Sequence, residues 1–193
     1  MNAVTDVFVQ SLAKNFEEAL ETLEQALIDC PDDLWATDLW PDEEPTGPGP
    51  HGGLVGSSPW FLAYHALSVL DYDLTGDFEP YAPPQPFDEN IWSFPNRMFT
   101  KSELLGWIDW CRTRVRQTLD ALTDEMALRP LPHTHRYAGT LFGVIVGSLP
   151  LHTLEHATQI RQFLTAAGVK PKPPRRPTGP HSAAPAAETG AAD

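Results

Sequence analysis

The sequence predicts an all-α protein. Four segments repeat apolar residues at spacings of three and four, which is the period of one helix face, and no segment convincingly shows the pattern of a strand. Long links at 41–56 and 77–99 separate the first three segments, and each could carry the chain across a bundle. We therefore expect a four-helix bundle with long crossover loops over residues 1–168.

Prolines and a glycine delimit the first two helices. Apolar periodicity over residues 4–28 predicts the first helix, which ends before Pro31 because the residue preceding a proline is pushed out of the α region. The second helix begins at Ser58-Pro59, where we expect serine to cap the free N–H groups and proline to occupy the first turn. Gly76 is a suitable C-terminal stop.

A capping box predicts the start of the third helix. Thr100 and Glu103 have the spacing at which each side chain can accept a hydrogen bond from the backbone N–H of the other residue. Apolar residues then recur at helical spacing as far as Leu122. Residues 123–139 show no such periodicity, and we expect a loop there.

The fourth helix is expected over residues 140–167, but Pro150 interrupts it. A proline inside a helix removes one hydrogen bond and clashes with the preceding turn. Either the helix kinks at 147–150, or Ser148 caps a new helix that has Pro150 in its first turn. Both alternatives leave residues 151–164 helical.

Residues 169–193 differ in composition from the rest of the chain. They are rich in proline and alanine and have almost no large apolar side chains. Such a segment cannot bury enough surface to offset its ordering entropy, so we expect a disordered tail.

Charge and hydropathy make several classes of partner unfavourable. The chain has 26 acidic and 13 basic residues and a formal net charge of -13, which disfavours nucleic acids and anionic membrane surfaces. The N-terminus lacks the features of a signal peptide, and no apolar run is long enough for a membrane span. We therefore expect a soluble, cytoplasmic protein.

Three other polar or reactive side chains have ordinary structural explanations. Cys30 and Cys111 are too few for a disulfide framework and lack metal-ligand spacing, so we expect reduced, buried thiols. Asp71, near the end of the second helix, is expected to be solvated or to cap.

Three of the seven histidines fall on predicted helices. His152 and His156 are four residues apart, so their side chains lie one above the other on one helix face. His65 lies on the core-facing side of the second helix. If the second and fourth helices pack together, three imidazoles converge, and three such ligands with one open position describe a catalytic type of metal site. Spacing alone leaves both metal binding and ordinary core packing open.

The stretch His152-Thr153-Leu154-Glu155-His156 also matches the H-x-x-E-H pattern of the inverted zincins, in which the glutamate is the general base. We favour this interpretation less, because it requires a further acidic ligand and a much larger scaffold. Without it, Glu155 is either a surface carboxylate or a group that orients a ligating imidazole. Tyr64 adjoins His65 and could donate a hydrogen bond near the metal.

Taken together, three segments resemble the DinB-like superfamily of four-helix-bundle metalloproteins. They read WFLAYHALSVLDYDL on the second helix, TKSELLGWIDWCRTRVRQTLDALTDE on the third and LPLHTLEHATQIRQFL on the fourth. The resemblance covers roughly residues 5–167. It implies that His65, His152 and His156 bind a divalent metal ion, most often zinc or nickel.

The resemblance also implies an activity. Characterised members of the family include thiol transferases that use bacillithiol or mycothiol, and a mycothiol-dependent maleylpyruvate isomerase. In these proteins the metal activates a bound thiol or water as a nucleophile. We therefore expect a metal-dependent enzyme, either like a thiol S-transferase or like a hydrolase, that acts on a small-molecule thiol or electrophile. The alternative is a non-enzymatic metal- or ligand-binding bundle of the stress-response kind, and the family suggests a homodimer.

Overall fold

The computed structural model describes residues 3–40, 56–76, 78–88, 90, 95–133 and 138–174. These ranges contain six helices and one isolated antiparallel bridge but no strand, which confirms the all-α prediction. The helices are α1 (Ala3–Asp29), α2 (Pro59–Asp73), α3 (Lys101–Ala121), α4 (Asp124–Leu128), α5 (Leu141–Gly147) and α6 (Leu149–Ala166).

The four long helices share one apolar core. Helices α1 and α2 each pack against both α3 and α6, so α2 lies directly beside α6. Fully buried leucine and isoleucine side chains come from α1, α2, α3, α5 and α6, and they include Leu20, Leu23, Leu27, Leu67, Leu70, Leu104, Ile108, Ile145, Leu149, Ile160 and Leu164. In the described ranges, none of the helices combines the length and the apolar character that crossing a membrane requires.

The capping predictions for α2 and α3 have different outcomes. At α3 the capping box is confirmed: Glu103 N–H donates to Thr100 Oγ1 at 3.2 Å, and Thr100 N–H donates to Glu103 Oε2 at 2.8 Å. At α2 the predicted cap is wrong, because the Ser58 side chain makes no capping hydrogen bond. Trp60 N–H, near the start of that helix, donates instead to the backbone carbonyl of Trp35 at 3.4 Å.

The segment 123–139 is not entirely a loop, contrary to the prediction. It contains the short helix α4, whose first turn is capped by Thr123 Oγ1 accepting from Met126 N–H at 3.2 Å. Pro130 then pairs with Thr140 in the antiparallel bridge. A five-residue helix is too short to show apolar periodicity in the sequence.

The predicted fourth helix is divided into α5 and α6 at Ser148. Of the two alternatives, the chain adopts the one in which a new helix begins and Pro150 occupies its first turn. The Ser148 carbonyl accepts from His152 N–H at 2.9 Å, although the serine side chain makes no capping bond. Because proline in a first turn removes no needed hydrogen bond, α6 is regular through His152 and His156.

Chain contacts continue beyond the predicted boundary at residue 168. Gly168 adopts a φ of 87° at the end of α6, a conformation that favours glycine. Farther on, Lys172 N–H donates to Asp29 Oδ2 at 2.6 Å, and Arg161 Nη1 donates to the Lys172 carbonyl at 2.8 Å. These contacts fix the start of the tail against α1 and α6. Most of the predicted disordered tail, residues 175–193, lies outside the described residues, as does nearly all of the predicted loop 41–56.

Candidate metal centre

Helices α2 and α6 bring together the three histidines that the sequence singled out. His65 comes from α2, and His152 and His156 come from α6. One ring nitrogen from each lies within 4.8 Å of the other two. The ring centroids are 5.0 Å apart for His65 and His152, 4.9 Å for His65 and His156, and 4.5 Å for His152 and His156. All three side chains are half-buried.

The rings meet edge to face, with interplanar angles of 68°, 82° and 87°. His152 Nε2 and His156 Nε2 are 3.1 Å apart. Two nitrogens bound to one tetrahedral zinc at about 2.0–2.1 Å would be separated by about 3.3–3.4 Å. The α6 pair therefore already lies close to the separation of two tetrahedral ligands.

The local sequence of α6 places both histidines at the margin of the core. Thr153 and Ala157, which follow the histidines directly, are buried at 1% and 0% exposure. Successive side chains on a helix point about 100° apart, so His152 and His156 lie on the flank of this buried stripe. The rings are thus partly shielded from water yet still reachable from the surface.

A fourth residue that the sequence interpretation missed contacts the cluster. Gln159 Oε1 lies 2.8 Å from His156 Nδ1, within hydrogen-bond distance. Burial lowers the pKa of His156, while the Gln159 contact and the nearby Glu155 carboxylate act in the opposite direction. The net effect favours the neutral imidazole, which is the form that binds metals. The i, i+3 spacing of His156 and Gln159 was the available sequence signal.

Of the two alternatives for Glu155, the structure favours the surface carboxylate, whereas Tyr64 lies away from the histidines. Glu155 is exposed, and the group that accepts from His156 Nδ1 is Gln159 Oε1, not this carboxylate. Tyr64 is buried, and its ring packs at centroid distances of 5.3 Å from Phe99 and 5.8 Å from Trp107. Because Tyr64 immediately precedes His65, its side chain points about 100° away, toward this aromatic part of the core.

The donor set is chemically uniform. Within the described ranges, no other group of three histidine, cysteine or acidic residues converges in this way, and no carboxylate joins the three imidazoles. The acidic ligand that the inverted zincin interpretation requires is therefore missing from this part of the chain. Three imidazole ligands suit zinc, nickel, copper and iron, so the residues present fit a divalent transition metal.

Comparisons with protein-family models, with curated proteins and with solved structures found no match for this chain.

Proposed function

We propose that this chain is a divalent-metal-binding protein and a four-helix bundle of the DinB-like type. His65, His152 and His156 would hold the ion, with zinc or nickel as the expected metal. The proposal depends on one observation above all, the convergence of three ring nitrogens within 4.8 Å from two separate helices. The near-tetrahedral separation of the α6 pair, 3.1 Å, supports it independently of family resemblance.

The number of ligands favours a reactive site over a purely structural one. Structural zinc sites usually use four protein ligands, whereas catalytic sites use three and keep a position open. A metal bound here would lower the pKa of a thiol or water and stabilise the resulting anion. The chain contributes three imidazoles in a half-buried setting that small molecules can reach.

We therefore propose a metal-dependent enzyme whose substrate is a small-molecule thiol or an electrophile, with thiol transfer or hydrolysis as its reaction class. The formal net charge of -13 makes a nucleic-acid partner unfavourable. A non-enzymatic metal-binding bundle is the second candidate. It is favoured by the absence of a carboxylate from the histidine group in the described residues, because such a group would otherwise be the natural general base.

Metal stoichiometry tests the binding proposal. Protein purified without a histidine tag should be dialysed against zinc or nickel, and its metal content measured by mass spectrometry. We expect about one equivalent per chain, and its loss in His65→Ala and His156→Ala. His133→Ala is the matched control, because His133 is exposed and outside the cluster. Undiminished metal in His156→Ala would refute the assignment.

Turnover separates the two candidate functions. The metal-loaded and metal-free proteins should be assayed with a panel of low-molecular-weight thiols and electrophiles. Metal-dependent turnover that is lost in His65→Ala supports the enzyme. Stoichiometric metal without turnover across the panel supports the binding bundle.

A further inference from the structure

We propose that Gln159 is a positioning residue that sets the tautomer and the ring orientation of His156. This inference deepens the proposed function and rests on it. It starts from the 2.8 Å contact between Gln159 Oε1 and His156 Nδ1. Both residues belong to α6, and a separation of three positions brings their side chains to the same face.

The chemistry of the contact determines where the imidazole carries its proton. A carboxamide oxygen can only accept, so His156 Nδ1–H donates to Gln159 Oε1. A neutral imidazole has one N–H, and Nε2 therefore carries the lone pair. That Nε2 lies 3.1 Å from His152 Nε2, at the centre of the cluster. The bond consequently directs the metal-binding lone pair inward.

The same contact restrains rotation of the ring. A half-buried imidazole without an anchor can turn about its side-chain torsions and point either nitrogen at the cluster. Gln159 is itself half-buried, which limits its exchange with water. Hydrogen bonds of this kind, from the second ring nitrogen of a ligating histidine, typically contribute about 10- to 100-fold to metal affinity.

The helix also supplies a comparison within one turn. Gln162 lies three residues beyond Gln159 on α6 but is exposed. If Gln159 and Gln162 contributed only helix propensity or solubility, replacing one or the other would have the same effect. If Gln159 positions His156, only its replacement should alter the histidine site.

Metal affinity in four proteins tests the inference. Zinc and cobalt dissociation constants should be measured by competition with a chelating dye for wild type, Gln159→Leu, Gln159→Glu and Gln162→Leu. We expect Gln159→Leu to bind about 10- to 100-fold more weakly. Gln159→Glu, which can still accept from Nδ1–H, should bind at least as tightly as wild type, and Gln162→Leu should be unchanged. Equal affinity in folded Gln159→Leu and Gln162→Leu would overturn the inference.

A second measurement needs neither metal nor a variant. Nitrogen chemical shifts of His156 in the metal-free wild-type protein report which ring nitrogen carries hydrogen. We expect the Nδ1–H tautomer, and an Nε2–H tautomer would overturn the inference. Failure of the proposed function would appear differently, as wild-type protein that binds no metal but still shows Nδ1–H at His156.

Discussion

Two polar clusters adjoin α2, and they are built on opposite principles. Toward α3, the carboxylate of Asp71 is 1% exposed and accepts from the indole N–H groups of Trp107 and Trp110, each at 3.2 Å. Arg114 Nε lies 3.6 Å from the same carboxylate. Toward α6, His65 meets two further imidazoles that are only half-buried.

The two clusters differ in whether hydrogen-bond donors surround an acceptor or side chains of one type meet. Around Asp71, an acceptor is surrounded by donors, so the chain itself satisfies the buried group. Burial raises the pKa of Asp71, and the two indoles and Arg114 counteract that effect. Among the histidines, three imidazoles converge, with His152 Nε2 and His156 Nε2 in contact at 3.1 Å. The first cluster is a buried carboxylate that the chain satisfies, and the second is the half-buried group for which we propose a metal. Asp71 is not solvated, contrary to the sequence expectation.

The largest effect is expected from removing the Asp71 carboxylate. Asp71→Ala leaves the buried Trp107 indole N–H without its acceptor and removes the carboxylate beside Arg114, and we expect a loss of about 3 kcal/mol in the free energy of unfolding. Asp71→Asn keeps one acceptor oxygen and should lose less. Urea denaturation measures both, with zinc stoichiometry as the control. A loss below about 1 kcal/mol in Asp71→Ala would break the proposed contrast between the clusters.

Metal should stabilise the protein through the other cluster. At a free zinc concentration of about 100 times the dissociation constant, linkage predicts about 2.7 kcal/mol of added stability. In His65→Ala we expect that increment to fall to nearly zero, whereas Asp71→Asn should keep it. Denaturation with zinc and with chelator gives the increment for each variant. An unchanged increment in His65→Ala would mean that the metal binds elsewhere.

The two indole donors to Asp71 should differ in importance. Trp110 is 37% exposed, so water can replace much of its contact, and Trp110→Phe should cost about 1 kcal/mol. Trp107 is 1% exposed and stacks on Phe87 with centroids 3.9 Å apart. Trp107→Phe should therefore cost more. If urea denaturation gave equal losses of unfolding free energy for the two variants, burial would not determine how much each indole contributes.

Thiol labelling is the smallest perturbation, and it measures whether solvent reagents reach the buried cysteines of the core. Cys111 is fully buried, and its pKa is raised by burial and by the nearby Asp71 carboxylate. Burial also raises the pKa of Cys30, to about 11. Compared with a thiol of pKa 9.0, Cys30 should have about 100-fold less thiolate at pH 8. We expect a maleimide reagent to label neither cysteine in the native protein and both in urea. Rapid native labelling would contradict a closed core.

Local signals explain which parts of the fold could be predicted from the sequence. The Thr100–Glu103 capping box is formed within four residues, so its spacing alone was sufficient. At α2, by contrast, Trp60 N–H finds the carbonyl of Trp35, a tertiary contact that the Ser58-Pro59 pattern cannot reveal.

Some features of the histidine site could likewise be predicted from the sequence, and others could not. The i, i+4 spacing placed His152 and His156 together, and the core-facing position of His65 completed the group. Helical periodicity also separates neighbours: Tyr64 and His65 are adjacent in sequence but point to different sides of α2. The role that we propose for Gln159 depends on which ring nitrogen of His156 faces the histidine cluster, and the i, i+3 spacing alone does not reveal that.

A crystal structure of the zinc-loaded, tag-free protein, with an anomalous difference map at the zinc edge, is the most direct test of the metal centre. We expect one strong peak at about 2.0–2.1 Å from a ring nitrogen of each of His65, His152 and His156. The absence of a peak at that position, or a peak only at other side chains, would contradict the proposed metal centre.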